Sequence, residues 1–336
     1  MKRPFETVDT WMVEPVSQGL VFAVDLGGTY LRSALIDGSG KIHQQLKQRT
    51  PKGDTPDCVV NALVTAAGNG SRDDGPPIVA ASIMVPGTVD NKNATVVQAP
   101  NLPSLTNYSL KTVLEDRLGW PVLLENDANA AAVGEMWLGA ARGCRDVVSV
   151  TLGTGVGGGV ILDGELWRGA HGSAGEIGHT TVDPFSGLKC KCGNIGCLEL
   201  FASATAIVRM TRELLPEFSS SVLNRDELTA ERVYDAGRQG DELALSVFKK
   251  FGTYLGIGLA NLINIIDPEI IVIAGGVVNG WSLFALHMQH EVNERAVRAT
   301  AQQVKIAAAQ CGDNAGLLGA ARLAFVRHDS QGLQDA

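Results

Sequence analysis

One histidine and three cysteines lie close together in the middle of the chain, at spacings typical of metal ligands. They are His179, Cys190, Cys192 and Cys197. One imidazole and three thiolates complete a tetrahedral zinc site, and a site without an open position is structural rather than catalytic. The alternative is three incidental cysteines beside an unrelated histidine, but the short spacing argues against it. We therefore predict structural Zn²⁺ bound by a zinc loop over residues 179–199.

Two acidic residues flank this zinc loop. Glu176 lies three residues before His179, and Glu199 closely follows the last of the three cysteines. A loop ordered by zinc would hold both carboxylates in fixed positions. We therefore expect them to bind a polyhydroxylated ligand.

Glycine turns follow three apolar segments of the chain. They contain Gly27 and Gly28, then Gly153 and Gly155, and finally Gly275 and Gly276. A polyphosphate requires several main-chain N–H groups directed at one point, and glycine allows that close approach. A single turn of this kind is more often a plain hairpin, but the recurrence favours phosphate binding. Asp25 precedes the first turn, where Mg²⁺ bound to the phosphates would take a carboxylate.

Two familiar nucleotide motifs do not apply to these turns. Gly153, Gly155 and Gly158 satisfy GxGxxG, but that fingerprint must open a helix. A β-branched run follows here instead. A Walker loop needs Gly-Lys followed by Ser or Thr, and the sequence contains none.

Two carboxylates, Glu125 and Asp127, follow the apolar run VLL and precede an alanine-rich segment. We expect a helix there, beginning near Asn129. Asp127 either caps that helix or acts as a general base at the carboxyl end of a strand, where α/β sheets bind ligands. Phosphoryl transfer to an alcohol uses an aspartate that accepts the hydroxyl proton. Asp127 is the best candidate for that role.

The elements that position these residues form a repeating pattern. VDLGGTYLRSALIDG and VTLGTGVGGGVILDG share a strand, a glycine turn and a second strand that ends in Asp-Gly. The first copy opens a β-β-α-β-α-β succession typical of an α/β domain. A repeat of this length predicts two related α/β domains that face each other across a cleft.

Composition excludes several functional classes. The chain has 336 residues, enough for two domains, with 45% apolar and 19% charged residues. A net charge of −8 without a dense basic run argues against a nucleic-acid partner. No segment approaches the roughly 18 apolar residues of a membrane span, and the N-terminus lacks a secretory signal. We expect a cytoplasmic protein that acts on small molecules.

In these motifs the sequence resembles the ROK family of repressors, open reading frames and sugar kinases. The resemblance extends from residue 20 to 326 through VDLGGTYLRSALID, APNLP, LENDANAAAVGE, TLGTGVGGGVILDG, GSAGEIGH, CKCGNIGCLE and IVIAGG. It implies the two-domain actin-like, ribonuclease H-like fold with an interdomain cleft. We expect an N-terminal arm (1–19), a smaller α/β domain (20–138 plus 313–328) and a larger one (139–312) that contains the zinc loop.

The resemblance also implies roles for individual residues. Asp127 matches the family's catalytic base. The family's zinc ligands match His179, Cys190, Cys192 and Cys197. The positions that hold the sugar are Gly87, Asn101, Asn126, Asp127, Glu176, His179 and Glu199. The positions that hold ATP are Asp25, Gly27, Gly28, Thr29, Gly153, Thr154, Gly155, Gly275 and Gly276.

The implied activity is that of an ATP- and Mg²⁺-dependent hexose kinase of the glucokinase type (EC 2.7.1.2), an enzyme of glycolysis. The resemblance also implies a homodimer or homotetramer. An N-acetylmannosamine kinase is one alternative. A sugar-responsive ROK regulator is another, although such relatives carry an N-terminal helix-turn-helix domain and only about 19 residues precede the first strand here. Tyr30 stands where members often carry a smaller or polar residue, and a tryptophan often found after NLP is missing. Both departures leave the preferred sugar open.

Overall fold

The computed structural model describes residues 19–68, 75–90, 94–224 and 227–332. The predicted N-terminal arm, residues 1–19, therefore lies outside the described residues except for Gly19. Within the described ranges, no helix has both the length and the apolar character needed to span a membrane.

The described residues form both β-strands and α-helices. The strands are β1 (Leu20–Leu26), β2 (Tyr30–Asp37), β3 (Ile42–Arg49), β4 (Ile78–Val85), β5 (Thr88–Asp90), β6 (Thr95–Gln98), β7 (Val122–Asn126), β8 (Val147–Leu152), β9 (Val156–Leu162), β10 (Glu165–Leu166), β11 (Ile270–Ala274) and β12 (Lys305–Ala308). The α-helices are α1 (Asp57–Gly68), α2 (Leu110–Leu118), α3 (Asp127–Leu138), α4 (Ala204–Leu214), α5 (Ala230–Arg238), α6 (Glu242–Ile266), α7 (Trp281–Arg295), α8 (Arg298–Ala301) and α9 (Ala315–Gly332).

The two five-stranded sheets have the same topology. Their orders are β3-β2-β1-β4-β7 and β10-β9-β8-β11-β12. In each sheet an antiparallel hairpin, β1–β2 or β8–β9, is followed by two parallel strands. The sequence repeat therefore corresponds to a repeated fold, and the α/β fold class predicted from it is confirmed.

The chain divides into two compact units. Unit 1 contains the described residues up to Gly143, the segment Gly164–Ala174 and the described residues from Asp313 onward. Unit 2 contains Cys144–Asp163 and Gly175–Gly312. The segment Gly164–Ala174 thus belongs with unit 1, although the sequence places it within the range 139–312.

Each unit has its own apolar core. In unit 1, β1 contributes Phe22 and Val24, which pack with Leu63 of α1. In unit 2, Phe251 of α6 and Phe284 of α7 lie with ring centroids 5.1 Å apart. Burial of each such side chain contributes about 1.5–3 kcal/mol to the stability of the fold. The apolar cores therefore stabilise both sheets.

Helices α3 and α9 cross at two glycines within unit 1. A Cβ atom on Gly134 would lie 2.0 Å from the carbonyl oxygen of Ala315, and one on Gly319 would lie 1.7 Å from that of Ala130. Only glycine permits this backbone approach. The crossing fixes the helix that begins with Asp127.

Candidate functional site

Asp127 is the first residue of α3, directly after the carboxyl end of β7. Its side chain is exposed. Asn126 is the N-cap, and its Oδ1 accepts hydrogen bonds from the N–H groups of Ala128 (2.9 Å) and Asn129 (3.2 Å). The N–H of Ala128 also donates to Oδ1 of Asp127 at 2.9 Å. The helix thus begins two residues earlier than the expected start near Asn129. The position at the positive end of α3 stabilises negative charge on the carboxylate.

Parallel strands bring further predicted residues to the edge of the sheet that carries Asp127. Gly87 follows β4, and its carbonyl oxygen accepts a hydrogen bond of 3.1 Å from Nδ2 of Asn126. A Cβ at Gly87, where φ is +150°, would lie 2.0 Å from the carbonyl oxygen of Gln98. Because β1, β4 and β7 run parallel, their carboxyl ends meet at one edge of the sheet. Unit 1 therefore gathers Gly87, Asn126 and Asp127 at that edge.

The first glycine turn lies at the end of β1 and approaches Asn101. A Cβ on Gly28 would lie 2.8 Å from Cβ of Asn101. The N–H of Gly27 donates to the carbonyl oxygen of Tyr30 (3.0 Å) and the Thr50 hydroxyl donates to that of Gly27 (2.6 Å). The N–H of Thr50 also donates to the Thr29 carbonyl oxygen at 3.0 Å. These bonds fix the turn beside a residue predicted to hold the sugar.

Asp25, predicted to lie near Mg²⁺, forms an ion pair that sequence reasoning missed. Arg32 of β2 donates from Nε to Oδ2 of Asp25 at 3.0 Å, and its Nη1 donates to the carbonyl oxygen of Asp313 at 2.9 Å. The one available signal was a charged residue, Arg32, within an otherwise largely buried strand, and that signal does not identify the partner. One carboxylate, that of Asp25, would be consistent with the one or two that Mg²⁺ takes from a protein when phosphates fill the rest of its shell.

The second and third glycine turns border one cavity in unit 2. Its volume is about 450 Å³, and Gly153, Thr154, Tyr234, Gly276 and Asn279 are among the lining residues. No described atom lies within 4 Å of a Cβ placed on Gly153 or Gly276. The size lies in the range of nucleotide and cofactor pockets, and the glycine backbone is open to a ligand.

Local hydrogen bonds shape the lining of this cavity. The carbonyl oxygen of Gly153 accepts from the N–H of Ala204 (2.8 Å), and that of Thr154 accepts from the hydroxyl of Thr205 (2.7 Å). Both donors lie at the start of α4. Gly275, with φ +88°, would place a Cβ 2.3 Å from the Leu152 carbonyl oxygen. The turns at the ends of β8 and β11 therefore meet, and a phosphate can approach their main chain.

Glu199 contacts the second glycine turn. Its Oε2 accepts a hydrogen bond of 3.1 Å from the N–H of Val156. A Cβ on Gly155 would lie 2.2 Å from the same oxygen. A residue predicted to bind sugar is thus fixed by a turn predicted to bind phosphate, a link that spacing alone did not reveal.

The four predicted zinc ligands lie together in unit 2, with all ligand atoms within 4.8 Å of one another. Nδ1 of His179 lies 3.6 Å from Sγ of Cys190, and Sγ of Cys192 lies 3.7 Å from Sγ of Cys197. A tetrahedron with metal–sulfur bonds of about 2.3 Å has edges of roughly 3.8 Å. Burial raises the pKa of the Cys197 thiol to about 12. The donor set fits Zn²⁺.

The zinc loop is anchored to α6 by contacts that the sequence did not indicate. The Tyr254 hydroxyl donates to Oδ2 of Asp183 at 2.9 Å, and the Tyr254 ring stacks on Phe201 with centroids 4.0 Å apart. Burial raises the pKa of Tyr254, and the bond to Asp183 raises it further. Glu176, beside the loop, has its Oε2 3.9 Å from Nε2 of His179. The loop therefore holds Glu176, His179 and Glu199 on one framework.

Comparison with known proteins places this chain in a family. The model of the ROK family matches residues 21–326. The chain belongs to the ROK family. The resemblance in the sequence motifs is thereby confirmed.

The ROK relatives include proteins named as sugar kinases and proteins named as repressors. A glucokinase of Streptomyces coelicolor is 37% identical over 91% of this chain and 98% of its own length. A xylose repressor of Caldicellulosiruptor bescii is 32% identical over 90% of this chain and 77% of its own length. Among solved structures, a ROK glucokinase of Streptomyces griseus in complex with glucose and AMPPNP has a TM-score of 0.76 and 37% identity, covering 91% of this chain and 99% of its own. These similarities confirm the two-domain sugar-kinase fold.

Proposed function

We propose that this ROK protein is an ATP-dependent glucokinase that phosphorylates the 6-hydroxyl of glucose, with Asp127 as the general base. The observation that carries the proposal is the junction of β7 and α3. Asn126 caps the helix there, and the exposed Asp127 lies at an edge that also holds Gly87. Oδ1 of Asp127 accepts a hydrogen bond from the N–H of Ala128 at 2.9 Å. The similarity to a glucokinase solved with glucose and a nucleotide analogue supports the same function.

We assign the predicted substrate contacts to the two units. In unit 1, the sugar would contact Gly87, Asn101 and Asn126. In unit 2, Glu176, His179 and Glu199 would bind further hydroxyl groups. Glu199 is held by the second turn, and Glu176 lies beside His179. Carboxylates and amides suit this task, since each accepts or donates several hydrogen bonds to a polyol. The histidine would serve both zinc and sugar.

The nucleotide would occupy the 450 Å³ cavity of unit 2. Its lining combines the open glycines Gly153 and Gly276 with the aromatic ring of Tyr234, which suits phosphates at one end and a base at the other. Gly27, Gly28 and Thr29 of the first turn are the predicted phosphate contacts within unit 1. Asp25 would hold Mg²⁺ that is bound with ATP, and the metal would neutralise phosphate charge.

In the proposed reaction, a carboxylate oxygen of Asp127 accepts the proton of the sugar 6-hydroxyl. The sugar oxygen forms a bond to the γ-phosphorus while the bond from that phosphorus to the bridging oxygen breaks, and ADP leaves. Main-chain N–H groups of the glycine turns stabilise the charge that develops on the phosphoryl oxygens. Zinc has only a structural part, since its four protein ligands leave no open position.

A sugar panel tests this proposal. Purified protein is assayed for ADP release with glucose, mannose, fructose and N-acetylmannosamine, each with ATP and Mg²⁺ and again with polyphosphate, for which sugar phosphate is measured. We expect the highest kcat/KM with glucose and ATP. Faster turnover of N-acetylmannosamine would replace the assignment with the alternative kinase. No turnover of any sugar, together with specific operator DNA binding, would assign the protein to the regulators, as in its repressor relatives.

A further inference from the structure

Glu125 is a buried carboxylate whose two oxygens are both fully engaged. Its side chain is 3% exposed. Oε1 accepts hydrogen bonds of 3.0 Å from the N–H of Asn126 and from Nδ2 of Asn129. Oε2 accepts from Nε of Arg168 at 2.8 Å and lies 2.7 Å from its Nη2. A buried acid with this many donors holds a fixed orientation.

We propose that Glu125 and Arg168 form a positioning pair for Asp127, an inference that rests on the proposed role of Asp127 as the base. Neither residue was predicted to touch a substrate. The pair acts through the main chain and through its neighbours rather than on the reacting atoms.

Each oxygen of Glu125 has a separate part in this arrangement. Oε1 contacts the residue before Asp127 and the residue two positions after it. Those two contacts span the first turn of α3 and join it to β7. Since Asn126 also supplies the helix cap, a rotation of the Glu125 carboxylate would disturb the cap and the base together.

Oε2 of Glu125 binds Arg168, which lies in another segment of unit 1. Arg168 lies in the segment Gly164–Ala174, which is closed by a hydrogen bond of 3.1 Å from the N–H of Ala174 to the carbonyl oxygen of Arg168. Along the chain, this segment leads directly to Glu176. Arg168 therefore fixes the Glu125 carboxylate and joins the start of α3 to the segment Gly164–Ala174 within unit 1.

The geometry favours positioning over simple stabilisation. A buried ion pair is a weak source of folding free energy, because desolvation offsets the attraction between the charges. Placement of a catalytic group is far more sensitive, since a shift of about 1 Å costs roughly 10²-fold in rate. Removal of Arg168 alone leaves the buried Glu125 carboxylate without a counter-charge, which destabilises the fold. Arg168→Lys keeps the charge and is therefore the variant in which turnover should fall more than stability.

The test compares Arg168→Ala and Arg168→Lys with wild type and with Asp127→Asn. We expect Arg168→Ala to lower kcat about 10²-fold, with KM for ATP within twofold of wild type. Arg168→Lys, which keeps the charge but loses the planar fork, should lie between Arg168→Ala and wild type. Arg295→Lys is the matched control, because Arg295 also pairs with a carboxylate, Glu291 on α7, and should leave kcat unchanged.

A double-mutant cycle with Glu125→Gln completes the test. If the two residues act as one unit, the double variant with Arg168→Ala should lose no more than about threefold beyond the worse single variant. Independent losses that multiply would overturn the pairing. A kcat that simply follows the melting temperature across all variants, including Arg168→Lys, would overturn the positioning role.

The same data separate this inference from the proposed function. If Asp127→Asn loses turnover while Arg168→Ala keeps it within twofold, the positioning inference alone fails. If Asp127→Asn keeps wild-type turnover, the proposed base itself is wrong, and the pair has no base to position.

Discussion

The first and second glycine turns end equivalent strands of a repeated sheet, yet their surroundings differ. The first has an acid before it, Asp25, paired with Arg32. At the matching position the second has Thr151, whose buried hydroxyl has no hydrogen-bond partner among the described residues. The second turn instead borders the 450 Å³ cavity and contacts Glu199. The repeated scaffold thus carries a charged group in unit 1 and a cavity in unit 2.

The two units therefore differ at the strand ends rather than in strand order. The shared strand order supports the core of each unit, whereas loops at that edge contribute little to packing and carry function. In our account, unit 1 supplies the proposed base and the carboxylate near magnesium, and unit 2 supplies the nucleotide pocket and the zinc loop.

Among the effects that compare the two turns, the largest should come from the zinc loop, because only the second turn depends on it. We expect Cys190→Ser to reduce bound zinc well below one ion per chain and kcat/KM for glucose by about 10²-fold or more. Cys58→Ser is the matched control, since Cys58 lies in α1 of unit 1, outside the cluster. Zinc content by atomic emission and steady-state kinetics provide the two measurements. A zinc-free protein with full activity would contradict this link.

The next largest effect should appear when the residues that precede the two turns, Asp25 and Thr151, are substituted in turn. Asp25→Asn should lower kcat about 10²-fold and raise the Mg²⁺ concentration needed for half-maximal rate. Thr151→Val should leave kcat within twofold, because removal of an unpartnered buried hydroxyl costs little or stabilises the fold. Steady-state rates at varied Mg²⁺ give the comparison. Equal losses at both positions would show that the turns have not diverged in function.

The smallest effect should come from alanine substitutions of two glycines within the second turn, Gly153 and Gly155. In Gly155→Ala the new Cβ would meet Oε2 of Glu199 at 2.2 Å, so KM for glucose should rise about tenfold, or ~1.4 kcal/mol. In Gly153→Ala the new Cβ would enter open space beside the cavity, so KM for ATP should rise instead. Initial rates with each substrate varied in turn distinguish the two. If both variants change the same constant, the turn does not separate sugar from nucleotide.

How much the sequence could predict depended on how local the signal was. The zinc cluster spans His179 to Cys197, so spacing alone brought its ligands together. The repeated strand and turn pattern likewise predicted the two related sheets. At LENDAN, two asparagines and an aspartate are all good cap residues, and only the structure shows that Asn126 is the cap.

Long-range partners could not be predicted in this way. Arg168 and Glu125 are 43 residues apart, and Arg32 and Asp313 are 281 residues apart. The sequence around either arginine does not identify its partner, because contacts between distant residues depend on tertiary packing rather than on periodicity. The same holds for the contact of Glu199 with the second turn.

The most direct test of the central claim is a comparison of wild type and Asp127→Asn in glucose-dependent ADP release. Asp127 is exposed at the start of α3, and the helix keeps its cap in this variant, so the fold and glucose binding should be preserved. We predict that kcat falls about 10³-fold, within the range for loss of a general base, while the dissociation constant for glucose changes less than threefold. A variant that retains at least one tenth of wild-type turnover would contradict the account.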